Sequence, residues 1–151
     1  MGLDFAELFA WCDLHASRWH TLPVTQGFIS RPMYYDRDGF AIPSDGRFPV
    51  TLVWAQMRET VDPVLARDEL PDGSFLSTVW LGLDHSHTMG PPLIFETMRF
   101  GPHGPPGMAR AFPDPFGEPD EETNQLRYTT AEEALAAHHE IRRRLVLRLG
   151  S

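Results

Sequence analysis

Val64-Leu65-Ala66-Arg67-Asp68-Glu69-Leu70, then Pro71-Asp72-Gly73-Ser74, then Phe75-Leu76-Ser77-Thr78-Val79-Trp80-Leu81-Gly82-Leu83, is the stretch whose reading decides the fold. Proline pre-sets a turn torsion, Asp hydrogen-bonds its own backbone, and Gly accepts a positive φ. The flanking runs are rich in β-branched and apolar residues, so they read as two antiparallel strands joined by that turn. Pro92 to Phe100, with Leu93-Ile94-Phe95-Glu96-Thr97-Met98, adds a third strand. Further along, Thr130 and Glu133 have capping-box spacing. Ala134, His138, Ile141 and Leu145 follow on one helical face, which predicts a helix over 130–149 lying across the sheet. Arg142, Arg143 and Arg144 sit where positive charge complements the helix dipole. The pattern predicts an α+β domain: an antiparallel meander of three to five strands packed against a C-terminal helix.

Working upstream, Met33-Tyr34-Tyr35 and Phe40-Ala41-Ile42 flank Asp36-Arg37-Asp38-Gly39 and predict a hairpin. The Asp-rich turn lacks the distal Glu and regular oxygen ligands of a calcium loop. Thr51 to Glu59 is read as a short helix capped by Thr51, although Val50-Thr51-Leu52-Val53-Trp54 also has strand propensity. Residues 1–32 read as a helical extension, with Asp4 and Glu7 as a capping box and Phe5, Leu8, Phe9 and Cys12 at helical intervals. Residues 101–122 are dense in Gly, Pro and acidic side chains and read as a long loop. No repeat or linker divides the 151 residues, which predicts a single domain with 33–100 as its β-rich core.

Composition narrows the function classes. A net charge of -8, from 21 acidic against 13 basic residues, argues against phosphate-backbone binding to nucleic acid. Every basic residue is arginine, a usage that goes with a GC-rich genome. The single cysteine, Cys12, excludes an internal disulfide framework and a cysteine-rich zinc site. Neither a signal-peptide pattern nor an apolar run of membrane-spanning length is present, so the expected setting is the cytoplasm.

The chemistry-bearing candidates are few. Asp84-His85-Ser86-His87 leaves a strand, and histidines two apart on extended chain point to one side. With Glu96 from the neighbouring strand, Asp84, His85 and His87 could supply the nitrogen and oxygen ligands of a divalent metal. The simpler reading makes them solvated loop residues, with no cofactor. Glu96 interrupts an apolar strand. Facing the core it must be paired or change its protonation, whereas the alternation Phe95-in, Glu96-out makes it an ordinary outward residue. His138 falls on the core face of its helix and His139 on the outer face. Trp80, Glu96 and His138 together would line a small-ligand pocket between sheet and helix. No phosphate-binding Gly-rich loop or nucleophile elbow occurs.

The run Leu76-Ser77-Thr78-Val79-Trp80-Leu81-Gly82-Leu83-Asp84-His85 resembles a family of small bacteriophage and prophage proteins of actinobacterial type. Pro91-Pro92-Leu93-Ile94-Phe95-Glu96-Thr97-Met98 and Arg127-Tyr128-Thr129-Thr130-Ala131-Glu132-Glu133-Ala134 continue the likeness, which covers roughly Met33 to Leu145. Residues 1–32 and the Gly/Pro loop look like additions, and His87 is not generally part of that pattern. The resemblance implies a phage setting and carries no activity over. The leading expectation is therefore a non-catalytic accessory protein that binds a host or phage macromolecule, with Trp80, Asp84, His85, Glu96 and His138 as candidate contact residues. The alternatives are a metal-dependent hydrolase on Asp84, His85, His87 and Glu96, and a nucleotide-type ligand binder. Oligomeric state is not legible at this level.

Overall fold

The computed structural model describes residues 6, 10, 32–42, 48–86, 90–101, 110–112 and 126–150. Of the N-terminal helix expected from Asp4 onward, only Ala6 and Ala10 fall among them, and both are helical; Cys12 and His87 lie outside. The described residues of Met1–Asp62 with Gly82–Asp84 form one compact unit, and those of Pro63–Leu81 with His85–Ser151 form another.

In the first unit the expected hairpin turn is made by Asp36. Its side chain accepts from the amides of Asp38 (3.0 Å) and Phe40 (2.8 Å), while Gly39 takes φ +88°. Tyr35 pairs with Ala41, and Tyr34 pairs with Leu83 on its other side. Helix α1 spans Val50–Thr60, so the helical reading of that segment holds over the strand alternative. Thr51 does not cap it. The helix starts one residue earlier, and the Pro49 carbonyl accepts from the amides of Leu52 and Val53. Ile42, Phe48 and Val53 form the core here, with Tyr34 and Trp54 packed against them.

The second unit is the sheet with its helix. Strands β1 (Val64–Glu69), β2 (Phe75–Trp80), β3 (Phe95–Gly101) and β4 (Arg110–Phe112) run antiparallel in that order, and β5 (Leu126–Tyr128) also pairs with β3. The β1–β2 turn forms as the sequence demands. Gly73 takes φ +80°, the Asp72 carboxylate accepts from the Ser74 amide, and Glu69 pairs with Phe75. Strand β4 corrects the reading of 101–122 as loop throughout: Gly101 belongs to β3, and Arg110, Ala111 and Phe112 pair with Gly101, Phe100 and Arg99. Three residues among Gly and Pro are too short a run to announce a strand, but they satisfy backbone groups along the edge of β3.

Helix α2 spans Ala131–Leu149 and opens with the predicted box: the Glu133 amide donates to Thr130 Oγ1 (3.1 Å), and the Thr130 amide donates to Glu133 (3.2 Å). This start sets the phase of the helix and turns Ala134, His138, Ile141 and Leu145 inward. Leu70, Leu76, Ile141 and Leu145 form the core cluster between sheet and helix. Each such aliphatic side chain, once buried, contributes about 1.5–3 kcal/mol. Strand alternation and register then divide the sheet: Asp68, Leu76, Thr78, Trp80, Phe95, Thr97, Arg99 and Tyr128 share the helix face, and Arg67, Phe75, Phe100, Glu96 and Arg127 share the other.

Candidate functional site

Among these apolar contacts runs a line of polar side chains from three strands and the helix. His138 has no exposed surface. Its Nε2 lies 2.9 Å from Oδ2 of Asp68 on β1, and its Nδ1 lies 2.8 Å from Oγ1 of Thr78 on β2. Thr78 Oγ1 is 2.6 Å from Thr97 Oγ1 on β3, and both threonines are fully buried. Arg142, one helical turn beyond His138, brings its Nε to 3.1 Å from the second Asp68 oxygen.

The hydrogen bond from His138 is the chief cause that holds the Asp68 carboxyl below its usual range; the charges of Arg142 and His138 assist, and desolvation opposes them. An ionised carboxylate only accepts, so Nε2 of His138 carries a proton and donates to it. Burial pushes the Tyr128 phenol up, partly offset by its hydrogen bond with Thr97.

Carboxylate, imidazole and hydroxyl in this order are the parts of a nucleophile relay. Here the hydroxyl is sealed. Thr78 has no exposed surface and is engaged by both His138 and Thr97. A substrate carbonyl has no approach to it, so the chemistry of the line is satisfaction of buried polar atoms.

A second polar cluster braces the β1–β2 turn. Arg99, only 6% exposed, donates through Nε to Ser74 Oγ (2.9 Å) and through Nη2 to Asp72. Desolvation is the largest single influence on Asp72 and pushes its carboxyl up, but the hydrogen bonds of Ser74 and the charge of Arg99 together bring it below its usual range.

The structure separates the residues singled out by sequence. Trp80 and His138 are buried on the helix face, whereas Glu96 pairs with Val79 and points to the opposite face. A pocket lined by Trp80, Glu96 and His138 is thus excluded by strand alternation. Glu96 does face away from the helix, as the alternation implies, but it is not a solvated outward residue. It is 8% exposed, and Arg127 Nε donates to its Oε2 at 2.9 Å. Asp84 and His85 are half-buried, and their amides donate to the carbonyls of Met33 and Leu93. Among the described residues no group of three or more His, Cys, Asp or Glu side chains is placed to hold a metal ion, so Asp84, His85 and Glu96 are not gathered into one; His87 lies outside.

Sequence reasoning found His138 on the core face but missed Asp68, Thr78, Thr97, Tyr128 and Arg127. A usable signal existed. A core-facing histidine needs partners, and the turn at Pro71–Ser74 sets Asp68 opposite Leu76, on the same face as Thr78. Comparison of the chain with protein-family models, with curated proteins and with solved structures finds no match.

Proposed function

We propose that this chain is a non-catalytic accessory protein that acts by binding a host or phage macromolecule. The observation that carries this reading is the closure of the Asp68–His138–Thr78 line: the constellation most like a catalytic one has a hydroxyl with no exposed surface. The buried charged groups on the strands among the described residues, Arg99 and Glu96, are engaged by Asp72 and Arg127 respectively. A negative net charge favours a protein partner over nucleic acid, and the phage-type sequence blocks favour an infected cell as the setting.

The test is affinity capture from a host lysate, followed by reconstitution of the complex from purified components. A stoichiometric complex that the folded Thr78→Val protein still forms supports the reading. A substrate turnover that Thr78→Val or His138→Gln abolishes, while the protein stays folded, overturns it.

A further inference from the structure

Strand β1 lies at an edge: among the described residues it pairs with β2 on one side only. The turn fixes its backbone phase. The Leu70 amide donates to the Ser74 carbonyl at 2.8 Å, so Leu70 aims its backbone groups at β2. Along an antiparallel strand these groups alternate between the two sides. Asp68 and Ala66 therefore also serve β2, while Glu69 and Arg67 aim their amides and carbonyls away from the sheet. The irregularity between Val64 and Ala66 breaks this phase at one end, and Pro71, which has no amide, ends it at the other.

Arg67 and Glu69 are both exposed and opposite in charge. A second copy docking here by twofold symmetry brings the same segment antiparallel to itself. Three registers then match outward backbone groups with outward backbone groups. With Arg67 on the axis, two arginines stand directly opposite; with Glu69 on the axis, two glutamates do. Both arrangements are destabilising. With Asp68 on the axis, Arg67 of each copy faces Glu69 of the other, twice, and each pair exchanges two backbone hydrogen bonds. The two Asp68 carboxylates then meet on the helix face, each with the Arg142 of its own chain at 3.1 Å, so two anions are balanced by two cations. Charge on an edge strand ordinarily repels an incoming strand. Here it repels in two registers and attracts in the third.

We propose that the outer edge of β1 is a homodimerisation surface, on which Arg67 and Glu69 of one copy pair with Glu69 and Arg67 of a second across a twofold axis at Asp68. The contact joins two sheets into one and, being small, makes a transient dimer. It is independent of whether the chain binds another macromolecule.

The test is sedimentation of the full chain at low salt, from about 10 μM to about 1 mM. The expected result is reversible self-association, weakened about tenfold or more by Arg67→Glu or by Glu69→Arg, since each sets like charges in both pairs. An equimolar mixture of the two variants should associate again, and Arg67→Glu with Glu69→Arg on one chain should restore the homodimer. A wild type that stays monomeric, an association indifferent to both single variants, or a double variant that stays monomeric overturns the surface. Where a variant fails to fold, amide exchange of the wild type decides. With rising concentration the Arg67 and Glu69 amides should slow while that of Asp68, already turned to β2, does not change; protection confined to other segments overturns the proposal.

Discussion

The two faces of the sheet bury polar groups in different ways. Facing α2, Asp68, His138, Thr78 and Thr97 are strung in series, so His138 and Thr78 each serve two neighbours. On the opposite face Glu96 and Arg127 form one ion pair, and at the other end of β3 the rings of Phe75 and Phe100 stack at 5.0 Å, with the Arg67 guanidinium over Phe75. A series arrangement spreads the loss of any member along the line. A single ion pair concentrates the loss on the charge left behind, and the price is set by how buried that charge is.

The largest effect expected is at the centre of the series. His138→Ala opens a cavity and deprives both Asp68 and Thr78 of a partner, and it should destabilise by about 3 kcal/mol in urea unfolding. A loss no larger than that of an exposed alanine substitution would break the comparison. Next comes the pair on the other face. Arg127→Ala leaves the Glu96 carboxylate, whose side chain is 10% exposed, without its cation, for about 2 kcal/mol. Glu96→Gln should lose less, since the Arg127 side chain is 23% exposed and water can serve it.

Thr78→Val keeps the shape of the side chain and removes the linking hydroxyl, for about 1.5 kcal/mol. Combined with His138→Ala it should be clearly non-additive. Combined with Arg127→Ala, on the opposite face of the sheet, it should add within about 0.5 kcal/mol. Equal coupling in both double variants would erase the distinction between the faces.

Two carboxylate variants sharpen it further. Asp68 has a lowered pKa in the folded protein, so its contribution to stability is present above the unfolded value of about 3.9 and is lost as pH falls through the folded one. Asp68→Asn, whose side-chain oxygen still accepts from His138, should therefore flatten the acid limb of the stability profile. The smallest effect belongs to Glu140, exposed on α2, where hydrogen bonds from Arg143 and Arg144 lower its pKa to about 2. Glu140→Gln should leave the unfolding midpoint nearly unchanged in moderate salt, because exposed pairs contribute little and are screened.

How far the chain was readable depends on the range of the interaction concerned. The Thr130–Glu133 box, the turn at Asp72 and Gly73, and the inward phase of His138 are local, set by residues within a few positions of each other, and all three are present as read. The helix at Val50–Thr60 was legible in kind, while its starting residue was not, because Pro49 supplied the first acceptor. The strands at Arg110–Phe112 and Leu126–Tyr128 carry almost no signal of their own; they exist because β3 offers unpaired backbone on that side. The buried state of Glu96 was illegible for a related reason. Alternation gives the direction of a side chain but not what covers it or which arginine reaches it.

By itself, then, the sequence determined the α+β class, the order of the main strands, the C-terminal helix with its cap, and the face on which His138 lies. These follow from periodicity and from turn and cap chemistry, whose reach is a few residues. Only the tertiary structure decided that His138 meets Asp68, 70 residues away, and Thr78, 60 residues away, and that the imidazole and the threonine hydroxyl are closed to solvent. Those contacts depend on strand register and on the seating of a helix across three strands, and no local preference encodes which distant partners such packing will bring within hydrogen-bonding distance.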